Sequence, residues 1–116
     1  MITEEEIIRK FRITSKYKGY PLIIDALQIA TQQFGNCLKI TKDIYPILAV
    51  KYRDSAYCIE RNIRTIVERC WYNNKCLMKE IAGCELKVCP TNTEFIEMIA
   101  YYITHDKGVL TNKESN

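Results

Sequence analysis

In the stretch "SAYCIERNIRTIVERCW", residues 55–71, Glu60, Arg61, Arg64, Thr65 and Glu68 recur three or four positions apart, with Cys58 just before them. On a helix that spacing gathers them on one side. The residue types suit the edges of base pairs. An arginine fork matches guanine O6 and N7, and a carboxylate accepts from cytosine N4. A plainer reading stands beside it: Glu60 and Arg64 form an i, i+4 pair on a wetted face, worth roughly 0.2–0.5 kcal/mol. Ala56, Ile59, Ile63, Ile66, Val67 and Cys70 lie between these polar residues at helical intervals and predict a buried stripe.

Charge is distributed unevenly. Residues 51–79 hold seven Lys/Arg against three Asp/Glu, whereas the rest of the chain holds ten against eleven. A local excess of cations fits an acidic partner. On charge alone a solvated helix face explains it as well.

Other chemistries find less support. His105, the sole histidine, lies near a polar end, and no motif places a nucleophile or acid with it, so an enzyme is the weakest reading. The six cysteines (Cys37, Cys58, Cys70, Cys76, Cys84 and Cys89) have irregular spacing and no C-x-x-C pair. Reduced thiols are expected, several of them filling helix interiors. A zinc site from Cys70, Cys76, Cys84 and Cys89 is the alternative, although that spacing matches no known ligand pattern. No metal or cofactor is expected. No apolar run reaches the ~20 residues that cross a bilayer. The acidic opening "MITEEEII" is not built like a signal peptide, so a cytoplasmic location is expected.

The elements that would position the polar face are all helical, and 116 residues suffice for one domain, 1–116, with its own core. Thr3 and Glu6 make a capping box before Ile7, Ile8 and Phe11. Gly19 breaks the chain, Pro21 opens a second helix carrying Leu22, Ile23, Ala26, Leu27, Ala30 and Phe34, and Gly35 is placed to end it. A third segment starts at Thr41, with Ile44, Ile47, Leu48 and Val50 as candidates for burial. Pro46 inside it predicts a tight turn over 41–45 and a regular helix only from about Pro46 to Tyr52. "YRDS" supplies a turn, with Asp54 or Ser55 capping the fourth helix. A fifth helix over 74–82 stops at Gly83, and "CELKV" reads as an extended connector. A last helix follows the Thr91/Glu94 capping box through Phe95, Ile96, Met98, Ile99, Tyr102 and Ile103, and the tail after His105 is expected to fray.

The third and fourth of these six helices, over about 41–71, have the layout of a helix-turn-helix. Ala49 can be the small contact, flanked by Leu48 and Tyr52, with Ile59 locking the second helix. Arg53 stands where the turn usually has glycine. In that arrangement Cys58, Arg61, Arg64, Thr65 and Glu68 face the major groove, and Lys51, Arg53 and Ser55 are candidates for phosphates.

"KGYPLIIDAL", "YPILAVKY", "IERNIRTIVERCW" and "PTNTEFIEMIA" occur in this order. Together they resemble the C-terminal DNA-binding domain of the stage-zero sporulation response regulator, over roughly residues 7 to 103. The resemblance implies a six-helix fold, a recognition helix over 55–71, and Glu60, Arg61 and Arg64 at the DNA. It implies binding as a homodimer to tandem operator elements, with the last helix contributing between protomers. It also implies a contact with RNA polymerase sigma factor in the region 72–83, where Tyr72, Asn73, Lys75 and Lys79 are the candidates.

The chain departs from the pattern in several places. Cys58 stands where relatives usually carry a base-reading Arg, Ile59 replaces Val, and Thr65 replaces a common His. A thiol cannot fork onto guanine, so an altered operator preference is expected. The segment "NNKCLMKEIAGCELKV" also diverges. The family's phosphorylated receiver domain has no counterpart here, consistent with either an excised domain or a natural receiver-less relative. Two functions therefore compete: a sequence-specific transcription regulator, and an interaction module that pairs with a full-length regulator or polymerase.

Overall fold

Two Thr-x-x-Glu boxes start the first and last helices. Thr3 Oγ1 accepts from the Glu6 amide at 3.2 Å while the Glu6 carboxylate accepts from the Thr3 amide at 2.8 Å; Thr91 and Glu94 repeat the exchange at 3.1 and 2.9 Å. The computed structural model describes residues 2–33 and 39–105. Among them are six α-helices and no strand: α1 (Glu4–Lys10), α2 (Tyr20–Gln32), α3 (Tyr45–Tyr52), α4 (Ala56–Asn73), α5 (Lys75–Ala82) and α6 (Asn92–Thr104). The expected places of Phe34, Gly35, Cys37 and the tail beyond His105 lie outside the described residues.

One apolar cluster joins all six helices. Ile7, Ile8 and Phe11 from the start of the chain meet Leu27 of α2, Leu48 of α3, Ile63 of α4, Met78 of α5 and Phe95 of α6 within it. The Phe11 and Phe95 rings sit 6.3 Å apart, tilted by 57°, so the first and last helices close on each other.

Between α2 and α3 the structure differs from expectation. In place of a tight turn, Ile40–Ile44 forms a single widened π-helical turn that runs directly into α3. Pro46 occupies the first turn of α3, where its missing N–H costs nothing. The proline ring crowds the carbonyl four residues earlier, and a widened turn gives it room.

Burial on α3 also differs. Ile44 and Leu48 are buried as expected, but Ile47 is 50% and Val50 80% exposed, while Tyr45 is buried in their place. With helix starting at Tyr45, the stripe Tyr45–Leu48–Tyr52 faces inward, and residues two positions from each member turn to the outside. Ala56, assigned to the α4 stripe from the sequence, is exposed because the first turn of that helix projects past the core; Ile59 is its first buried member.

The segment 83–91 contains neither helix nor strand. Gly83 ends α5 at φ 75°, in the left-handed region glycine tolerates, and Lys79 reaches over to Glu85 at 2.8 Å. No helix of the described residues is long and apolar enough to cross a membrane.

Candidate nucleic-acid interface

The turn between α3 and α4 uses a residue that sequence alone would disfavour. Arg53 adopts φ 52°, ψ 48°, and the amides of Arg53 and Asp54 return to Val50 O at 3.3 Å and Ala49 O at 3.0 Å. This is a Schellman closure, normally completed by glycine. Ser55 then caps α4, its Oγ accepting from the Cys58 amide at 3.1 Å.

α4 is fixed from behind at two points. The first is Gly19, just before α2. A Cβ at this position would lie 2.8 Å from Ile66 Cγ1 and closer still to the Asn62 carbonyl oxygen. Only a residue without a side chain lets that backbone lie against α4. The second is Asn92 at the start of α6, whose Nδ2 donates both to Tyr45 Oη at 3.0 Å and to the Glu60 carbonyl at 3.1 Å. One buried amide thus ties α6 to both α3 and α4. Burial pushes the Tyr45 phenol above its usual pKa, keeping it neutral.

Ile59, Ile63, Ile66, Val67 and Cys70 point into the core, so the opposite face of α4 turns to solvent. Arg61, Arg64, Thr65 and Glu68 are exposed, and Cys58 and Glu60 lie half-buried along its edges. The structure therefore gathers all the residues assigned to base reading on one outward surface, but they are not equally free. Arg64 donates to the Glu60 carboxylate at 2.5 Å, the pair considered from the sequence, and this contact raises the guanidinium pKa further. Thr65 Oγ1 donates back to the Arg61 carbonyl at 3.2 Å. Arg61 instead lies over the Tyr57 ring, its Cζ 5.8 Å from the centroid.

Of the phosphate candidates, Arg53 is exposed at the turn, and Ser55 spends its oxygen on the cap but keeps its O–H to donate. Lys51 is engaged. Its ammonium holds Asp25 of α2 at 2.7 Å, raising its pKa, and Tyr52 donates to the same carboxylate oxygen.

The proposed polymerase-facing residues divide in the same way. Tyr72 is 75% exposed and Lys75 lies over the Trp71 ring at 5.3 Å. Asn73, by contrast, donates to the Phe11 carbonyl at 2.9 Å, and Lys79 is held by Glu85.

Sequence reasoning missed three residues that shape this face: Gly19 as a contact, Asn92 as a brace, and Tyr57. Tyr57 precedes Arg61 by one helical turn, and that spacing was the available signal.

A concavity of about 760 Å3 lies elsewhere. It opens along α6 and the 83–90 connector, and no residue of α3 or α4 lines it. The five described cysteines are free thiols; Cys70 is buried, Cys76 and Cys84 are exposed, and burial raises the pKa of Cys70 and Cys89. Among the described residues no three potential ligands gather for a metal. His105 stacks on Tyr101 at 3.9 Å.

An all-helical framework that displays one long cationic helix to solvent has the build of a small helical effector domain. The chain matches the family described as "Sporulation initiation factor Spo0A C terminal" over residues 4–103 and belongs to it. That family is the DNA-binding effector domain of a sporulation response regulator, and it is not a family of enzymes.

Proposed function

We propose that the chain is a sequence-specific DNA-binding transcription regulator in which α3 and α4 act as a helix-turn-helix and α4 enters the major groove. The observation that carries this reading is the outward row of Arg61, Arg64 and Thr65 on a helix braced from behind by Gly19 and Asn92. Such a helix presents side chains with little rearrangement left to make on binding. Arg61 and Arg64 fork onto guanines. Glu60 orients Arg64 and competes for its N–H groups. Cys58 and Thr65 make the smaller contacts, while Arg53, Ser55 and part of Lys51 meet phosphates. Two copies bind tandem elements, and Tyr72 and Lys75 offer the more open part of a sigma-factor contact.

Duplex affinity should fall steeply with salt, because every neutralised phosphate releases counterion. Arg61→Ala and Arg64→Ala should each cost about 1–3 kcal/mol on a selected duplex and relax its sequence preference. Binding indifferent to both substitutions would overturn this docking.

A second reading rests on the outer face of α3. Ile47 and Val50 are open to solvent there, and apolar residues displayed together suit a protein partner. In that reading the chain pairs with a full-length regulator or polymerase. It requires partner binding without preference for any duplex over random DNA at physiological salt.

A further inference from the structure

Tyr57 stands in the first turn of α4 with 67% of its surface open. An aromatic ring so placed contributes little to the core, and its contact is with Arg61. The two outward arginines are consequently held in different ways. Arg64 spends N–H donors on Glu60, whereas among the described residues no carboxylate lies within ion-pair distance of Arg61. A guanidinium attracted to a ring face at 5.8 Å keeps its in-plane N–H edges for a planar acceptor pair.

The rest of the Tyr57 ring remains exposed, one helical turn toward the N-terminus from Arg61. A turn rises about 5.4 Å, and successive base pairs are spaced about 3.4 Å apart. With Arg61 on a guanine, the ring therefore reaches a base pair one or two steps away. The carbon substituent that a base edge offers an apolar group in the major groove is the C5-methyl of thymine.

We propose that Tyr57 is a specificity-determining residue that props Arg61 over its ring and packs its open edge on the C5-methyl of a thymine one or two steps from the guanine Arg61 reads. This rests on the DNA-binding reading of α4. The probe is the duplex recovered by selection from random sequences, with each thymine replaced in turn by deoxyuridine, which lacks only the methyl group. The native protein should lose about fourfold in affinity at one such thymine, the worth of one buried methyl. Tyr57→Ala should bind more weakly and ignore that replacement, whereas Tyr57→Phe should restore both affinity and the methyl preference. Equal binding of every deoxyuridine duplex by the native protein, or a methyl preference that survives Tyr57→Ala, overturns the proposal. If selection recovers no preferred duplex and Arg61→Ala leaves binding unchanged, the DNA-binding reading itself fails and takes this proposal with it.

Discussion

Cys58 lies at the edge of the outward face of α4, half-buried, its amide held by Ser55. A thiol there offers one weak donor and a weak acceptor, whereas an arginine would offer a five-donor fork. Sequence preference at the matching base pair should accordingly be loose. Repeating the duplex selection with Cys58→Arg should sharpen one position toward guanine and leave the others as they were. An unchanged consensus would mean that residue 58 does not face a base. At this scale the sequence was informative about identity, and about engagement only within one helix. Spacing alone marked Glu60, Arg61, Arg64 and Thr65 as neighbours on one face. It also paired Glu60 with Arg64, but it could not show that Lys51 is drawn to an aspartate 26 positions away or that Asn73 serves the Phe11 carbonyl. Those partners come from tertiary packing, which local periodicity does not contain.

Among the elements, local preference and the observed backbone disagree at the α3–α4 turn, where Arg53 is left-handed, as they do at Arg12 after α1. A left-handed conformation costs an L-residue roughly 1–2 kcal/mol, of which glycine would return part through its own entropy loss. Arg53→Gly should therefore stabilise the fold by about 0.5–1 kcal/mol, read in urea denaturation. The same variant should flatten the salt dependence of duplex binding by about one unit of slope, if that guanidinium meets a phosphate. Higher stability with an unchanged slope would remove Arg53 from the interface. Helix starts were the most legible elements, because Thr3, Ser55 and Thr91 are side chains that take up free amides and carry that role in their residue type. The widened turn before α3 was not legible. It follows from how Pro46 is accommodated, and proline is equally compatible with a tight turn and a broad one. Ile47 and Val50 were misassigned to the core on residue type: at about 100° per residue Val50 lies on the far side of the helix from buried Leu48, and Ile47 falls at the edge of the inward stripe.

Across the whole molecule, three groups respond to alkali in the same sense. Burial raises the pKa of Tyr45; burial, followed by the Asp25 contact, raises that of Tyr52; and Asp25 raises that of Lys51. Each therefore stays protonated in the folded chain at a pH where the unfolded chain has begun to lose its protons. Their contribution is complete below the unfolded values, about 10 for Tyr and 10.4 for Lys, and is lost as pH rises through the folded ones. Stability measured by denaturant should be insensitive to these groups between pH 7 and 9 and should fall above about pH 10. Asp25→Asn should weaken that fall by removing the shared partner of Lys51 and Tyr52, and an identical alkaline profile would dismiss the linkage.

The contact between Gly19 and α4 has a consequence in time as well as in space. The Asn62 carbonyl is the acceptor for the Ile66 amide one turn on, and the Gly19 backbone covers it where solvent would otherwise approach. Opening that hydrogen bond requires α2 to lift away as well, so the event is no longer local to one helix. The Ile66 amide should exchange with deuterium among the slowest in the chain, at a rate set by global unfolding, while amides in the first turn of α4 exchange quickly. The helix that would meet DNA thus has its most persistent hydrogen bond on the side turned away from it.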